Sequence, residues 1–248
     1  MRNLGNTCFV SAALWSLKYC DAFVAALGRS KKPLSGPLSN LLSDPRSTVW
    51  PDVVALLSRI IGRNGSEPHD SHELLCAIIE HTGTQRIFAV RYSTIMMCRA
   101  CGTPVRNKDV NTYANAEPCE SGLVDGLLLA CAVKTIQGRK CDKCREVGAA
   151  HVRTTPVAPG PAVLVVRGCA QRAWLERSFF LCEVEYVLRS VIVYTGNGAN
   201  GHYTCVVPDT GSWRVHDDDS VRAISVEEKP GAARIAGAHT VLYERIKT

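Results

Sequence analysis

From Cys8 to Leu27 the chain reads CFVSAALWSLKYCDAFVAAL, with apolar residues at helical spacing and no glycine or proline before Gly28. That period predicts one or two helices over 8–27. Residues 28–48, rich in Pro, Ser and Gly, read as a loop. The run PDVVALLSRII at 51–61 predicts a further helix, with Pro51 suited to its first turn. Another is expected to start near Asp70, where DSHELLCAIIEH sets acidic residues ahead of an apolar stripe. From residue 87 the pattern shortens to β-like runs at 87–98, 162–169, 179–195, 202–207 and 240–246, parted by Gly and Pro turns. Helices come first and strands follow, so an α+β class is expected in preference to an alternating α/β one.

Composition narrows the class. Hydrophobic residues make up 46% of the 248 and charged ones 21%, values of a folded globular chain rather than a disordered one. The chain is read as one domain over 1–248, a helical part to about residue 85 and a β-rich part over 86–248. No apolar run reaches the roughly 18 residues that span a bilayer, and MRNLGNTC lacks the apolar core of a signal peptide. The expectation is a soluble, intracellular protein, cytoplasmic or nuclear or both, with no membrane partner. The formal charge of +6 comes from scattered Lys and Arg, densest in GRSKKP and GRKCDKCR. Such runs read as solvated faces. Nucleic acid is disfavoured as a partner, because no aromatic side chains interleave with them as stacking platforms.

Twelve cysteines without a secretory signal point to thiol chemistry or metal rather than disulfides. Cys98 and Cys101 form one Cys-x-x-Cys pair and Cys141 and Cys144 another, with 39 residues between them. Four thiolates on two tight turns are the ligand set of a tetrahedral structural zinc site, with no position left open for catalysis. A redox-active pair is the weaker alternative, because no βαβ context surrounds either. Cys20, Cys76, Cys119, Cys131, Cys169, Cys182 and Cys205 read as small buried hydrophobes.

Cys8 stands where the first helix begins. Free N–H groups and the positive end of the helix dipole there favour thiolate over thiol. Gly5 permits a tight approach, and Thr7 is a candidate cap. Taken alone, the cysteine reads as structural, because a nucleophile needs a base and a group to orient that base. Both occur late in the chain. His202 lies in NGANGHYTCVV, at a glycine-rich turn entering a strand, and Asp217 follows 15 positions later in WRVHDDDSV. That spacing suits a hairpin that lets Asp217 or Asp218 accept the second imidazole N–H.

The opening NLGNTCFVSAALWSL, the middle PHDSHELL, and the late GHYTCVV with WRVHDDDSV resemble the Cys, Gln-Asp and His boxes of the ubiquitin-specific protease family, in the family's order. The similarity continues through LVVRGCAQR and the closing TVLYERI. It implies a papain-like fold with thumb, palm and zinc-bearing fingers, the finger zinc region falling at about 95–147. The implied activity is thiol-dependent hydrolysis of the (iso)peptide bond after the C-terminal glycine of ubiquitin or a ubiquitin-like modifier, by a compact monomer. Cys8 would be the nucleophile and His202 the base, with Asp217 orienting it and Asp218 at a second acidic position. Asn3 would support the oxyanion. Asp70 would meet an arginine of the ubiquitin tail, with Glu73, Gly201 and Tyr203 as further substrate contacts, and zinc would be structural. Phe9-Val10-Ser11-Ala12 replaces the family's Tyr-x-Asn-Ser, and His69 stands where glutamine is usual. Three other readings are kept: a non-catalytic ubiquitin-binding scaffold, a papain-like protease cutting a polyprotein at Gly-Gly-type sites, and a zinc-ribbon nucleic-acid binder.

Overall fold

The computed structural model describes residues 1–62, 69–168, 173–197 and 200–246. Its first third is helical: α1 (Cys8–Lys18), α2 (Asp21–Arg29), α3 (Ser35–Ser43), α4 (Trp50–Ile60), α5 (Ser71–His81) and the short α6 (Gln85–Phe88). The apolar run at 8–27 divides into α1 and α2, which meet at 95° because Cys20 takes up extended backbone between them. No single helix among the described residues is long and apolar enough to cross a membrane. The segment read as a loop contains α3. Leu38, Leu41 and Leu42 bury one stripe of it, and Pro37 falls in the first turn, where its missing N–H costs nothing. α5 begins as expected, with the Asp70 carboxylate accepting the His72 N–H at 2.7 Å.

Strands follow: β1 (Val90–Cys98), β2 (Pro104–Asn111), β3 (Ala114–Asn115), then α7 (Leu123–Ala130), β4 (Lys134–Lys140), β5 (Val147–Pro156) and β6 (Val163–Arg167). After these come β7 (Trp174–Glu176), β8 (Ser178–Leu181), β9 (Val184–Gly196), β10 (Gly201–Asp209), β11 (Ser212–Asp217) and β12 (Ser220–Ile224). The last are β13 (Glu227–Lys229), β14 (Ala232–Arg234) and β15 (Ala238–Arg245). α7 interrupts the expected succession of strands, and the run at 179–195 is a hairpin, because Cys182 and Glu183 both adopt positive φ and turn the chain. β2-β1-β5-β4 form a finger sheet, and β12-β11-β10-β9-β15-β6-β3, with β8 added on β9, form the palm.

Alternation along the palm strands explains how one sheet joins two cores. Val163, Val165, Cys205 and Val207 pack with α1, α5 and the other helices. Their neighbours Leu164, Val166 and Val206 face the second core with Trp213 and Tyr243. α1 is enclosed on every side: all ten residues from Cys8 to Leu17 are buried. Of the cysteines read as core, Cys20 and Cys205 are fully buried, but Cys76, Cys119, Cys131 and Cys182 are only partly so, and Cys169 lies outside the described residues. Composition alone does not separate these cases: Cys119 and Cys131 flank α7, Cys182 sits in the β8–β9 turn, and Cys76 lies at the margin of the buried stripe of α5.

Because Leu14 has no exposed surface, its truncation leaves a cavity between α1 and the palm. Leu14→Ala is expected to lower the unfolding free energy by about 2–5 kcal/mol, read from the shift in urea midpoint at constant slope.

Candidate active site

The approach to α1 is a compact loop tied by Asn3. Its Oδ1 accepts the Gly5 N–H (3.0 Å), the Thr7 N–H (3.2 Å) and the Thr7 hydroxyl (3.3 Å). Gly5 at φ +96° and Asn6 at +52° make the bend, a region that glycine and asparagine tolerate best. Thr7 does not cap α1 with its side chain, because Oγ1 is taken up by the Leu4 N–H at 2.9 Å and by Asn3. The Trp50 indole donates to the Arg2 carbonyl at 2.8 Å and fastens the same loop to α4.

α1 lies along β10. This brings the Tyr203 backbone amide, one residue from His202 in the chain, close enough to the Cys8 sulfur to favour its anion. The amides of Cys8 and Phe9 at the helix start add to it. Even so, burial outweighs these donors and holds the Cys8 thiol above the ordinary cysteine range, with the Asp218 carboxylate pushing the same way. The expectation that the helix start would favour the thiolate is thereby corrected: 7% exposure costs the anion more hydration than the amides and dipole return.

β10 and β11 form the expected hairpin, with Cys205 opposite His216 and Asp209 opposite Ser212. It returns Asp217 to His202, whose Nε2 lies 2.6 Å from Asp217 Oδ1. The other ring nitrogen, Nδ1, stays free of that bond. Asp218, in left-handed backbone at φ +53°, turns the other way. Its Oδ2 accepts the Asn3 amide at 3.0 Å, while its Oδ1 is buried with no partner among the described residues. Burial raises the Asp218 pKa, opposed by the Asn3 hydrogen bond and the nearby His202. The two aspartates thus divide the work, Asp217 on the histidine and Asp218 on the asparagine.

Support for this turn comes from residues that the motifs did not single out. The Trp15 indole donates to the Asp218 carbonyl at 3.2 Å and stacks on His216 at 4.1 Å. Tyr19 Oη lies 2.7 Å from His216 Nε2, and burial lowers the His216 pKa to about 4. Trp15 follows Cys8 by seven residues, two helical turns along the same face, which is the one signal that could have marked it. At the replaced family positions, Ser11 is buried with its hydroxyl unpartnered among the described residues, and His69 packs edge-on to Phe9 and sits 3.2 Å from Glu73.

Asp70 flanks the site at the start of α5. Its Oδ2 already accepts Arg167 Nη2 at 3.0 Å, and His239 Nε2 stands 3.8 Å from Oδ1. Tyr203 lies beside it, its phenol pushed up to about 12, chiefly by burial. Glu73 is on the solvent side of α5, 58% exposed. Gly201 is fixed by contact, because the Tyr194 ring occupies the space a Cβ would need. A cavity of about 990 Å³ lies away from Cys8, between the inner face of the finger sheet, α7 and Phe179–Leu181.

The four paired cysteines meet at the finger tip. Cys98 and Cys144 sulfurs are 3.9 Å apart, Cys101 and Cys141 3.8 Å, and all four lie within 4.8 Å of one another. A tetrahedron with zinc–sulfur bonds of about 2.3 Å has edges of about 3.8 Å, so the set fits that ion. The two turns share a geometry: Gly102 N–H returns to Cys98 O and Arg145 N–H to Cys141 O, with Gly102 and Arg145 both at positive φ. Pairing of β1 with β5 spans the 39-residue gap.

The family model described as ubiquitin carboxyl-terminal hydrolase matches residues 75–242. No curated protein matches the chain. Among solved structures, the SAGA DUB module Ubp8/Sgf11/Sus1/Sgf73 with a cysteine-to-alanine Ubp8, bound to monoubiquitin, matches at 17% identity and a TM-score of 0.75. The same module bound to ubiquitin aldehyde matches at 16% and 0.76, and in both cases the match covers 100% of this chain and 69% of the other. At these identities the structural matches establish a shared fold. The family match spans more than half of the chain and takes in the β-rich palm, the fingers and the late histidine hairpin, so this protein belongs to the ubiquitin carboxyl-terminal hydrolase family, in its ubiquitin-specific protease fold.

Proposed function

We propose that the chain is a working deubiquitinase that cleaves after the C-terminal glycine of ubiquitin or a ubiquitin-like modifier through a Cys8 thioester. What supports this reading is a buried cysteine at the start of a helix packed on β10, close to the Tyr203 amide, with His202, the preceding residue of that strand, bonded to Asp217. Asp217 holds the imidazole through Nε2–H, which leaves Nδ1 as the base. Nδ1 takes the Cys8 proton as sulfur attacks the carbonyl carbon, and then gives it to the leaving amine. Water, deprotonated by the same nitrogen, opens the thioester and releases the carboxylate and the thiol. Asn3, held by Asp218, presents its amide toward the developing oxyanion. Asp70 would receive a tail arginine by exchanging its Arg167 partner, and the cavity beneath the fingers would seat the body of the modifier. Zinc, held by Cys98, Cys101, Cys141 and Cys144, would brace the finger tip.

Because burial keeps the substrate-free thiol protonated, alkylation of Cys8 by neutral iodoacetamide should rise with pH, with a midpoint above the ordinary thiol value of about 8.5. A midpoint near 6 would instead indicate a preformed thiolate–imidazolium pair. Elemental analysis should return about one zinc per chain. Cys101→Ser with Cys141→Ser should lose it and speed amide exchange along β1 and β5; metal-free protein with unchanged exchange rules zinc out. Ubiquitin carrying a C-terminal electrophile should form a covalent adduct that Cys8→Ala abolishes. His202→Ala should slow hydrolysis of a fluorogenic ubiquitin substrate by about 100-fold to 10,000-fold. Tight ubiquitin binding with neither adduct nor hydrolysis would instead identify a scaffold.

A further inference from the structure

The positive charge of this chain is not spread over its surface. Residues 90–111 and 134–156, the finger strands and their two cysteine turns, contain ten Lys and Arg against Asp109, Asp142 and Glu146, a net of +7. The remainder, with 19 basic and 20 acidic residues, sums to −1. One zinc on four thiolates would add −2 at the tip and leave the fingers strongly cationic.

Strand alternation then sorts these charges by face. The register sets Arg91 opposite Val110, Ser93 opposite Lys108 and Thr155, and Ile95 opposite both Arg106 and Arg153. All of these share the outer face. The inner face carries Tyr92, Thr94 and Asp109, which line the large cavity; Thr94 Oγ1 reaches Asp109 Oδ2 at 3.5 Å and Thr154 Oγ1 at 3.1 Å. The one carboxylate of β2, β1 and β5, Asp109, is therefore turned away from the cations. Arg91, Arg106, Lys108 and Arg153 are exposed, and among the described residues none of them has an ion-pair partner; Arg153 also borders the cavity rim.

Rows on one face repeat about every 6.8 Å and strands about every 4.8 Å. The four cations therefore form a ladder of point charges at roughly 7–10 Å intervals. No aromatic ring stands among them, so the face lacks the platforms that single strands require. Nor is there a carboxylate to pair with the basic groups that protein partners ordinarily bring. A regular polyanion suits such a surface. We infer that the outer face of the finger sheet binds the phosphate backbone of double-stranded nucleic acid without reading its sequence. These four cations lie outside the two dense basic runs, and folding gathers onto one face charges that are scattered along the chain.

The test is fluorescence anisotropy of the full chain with two 20-base-pair DNA duplexes of unrelated sequence, from 50 to 200 mM salt. Equal affinity for both is expected, with log K falling against log salt at a slope of at least about −3.6 for four phosphate contacts. Replacing Arg91, Arg106 and Lys108 together by glutamine should cut that slope by about 2.7 and weaken binding at least tenfold. Thermal midpoint, zinc content and ubiquitin hydrolysis should stay as in the parent. No duplex binding at 50 mM salt, parental binding by the triple variant, or tighter binding to polyglutamate than to the duplex would each overturn the inference. Because hydrolysis is read separately, loss of the catalytic reading would leave this result standing.

Discussion

The docking of α1 onto β10 is the contact on which the rest of the site depends. A helix buried on every side has no solvent face to absorb a shift, so its position is set by close packing against palm and thumb together. That packing brings a sulfur from the start of the chain close to the Tyr203 amide, and Trp15 from the same helix onto the Asp218 carbonyl. The helix thus carries the proposed nucleophile and steadies the turn beside Asp217, the partner of His202.

The polar groups at the candidate site are heavily shared. Asn3 ties its own loop with Oδ1 and donates its amide to Asp218, so loop geometry and amide position are one constraint. Asp70 caps α5 and grips Arg167 at once. Each carboxylate is held by a neighbour from a distant part of the chain, which fixes orientation at little entropic cost during reaction. The buried Cys8 thiol, held above the ordinary cysteine range, fits the proposed mechanism, in which a base must take its proton.

The fingers follow a different rule. They are a thin sheet with little core behind its tip, and four clustered sulfurs stand where apolar packing is missing. A metal crosslink is the economical way to order such an extension. Freed from burial, the outer strand positions accept charge, and alternation collects it on one side.

Much was legible in the sequence because it is local. Helical periodicity gave α1, α4 and α5, the Asp70 cap follows from side-chain chemistry, and the two Cys-x-x-Cys turns carry their own geometry. The 15-residue spacing of His202 and Asp217 sufficed for a hairpin. What the sequence left open depends on long-range contact. α3 forms in a Pro- and Ser-rich segment because its leucine stripe finds a core, and α7 because Leu123 and Leu127 find the palm. The protonated state of Cys8 is decided by enclosure that no local pattern encodes. So are the division of Asp217 and Asp218 between histidine and asparagine, the capture of Asp70 by Arg167, and the sorting of scattered cations onto one face. Spacing along a chain fixes local backbone, whereas desolvation, pairing and facing depend on which distant residues arrive.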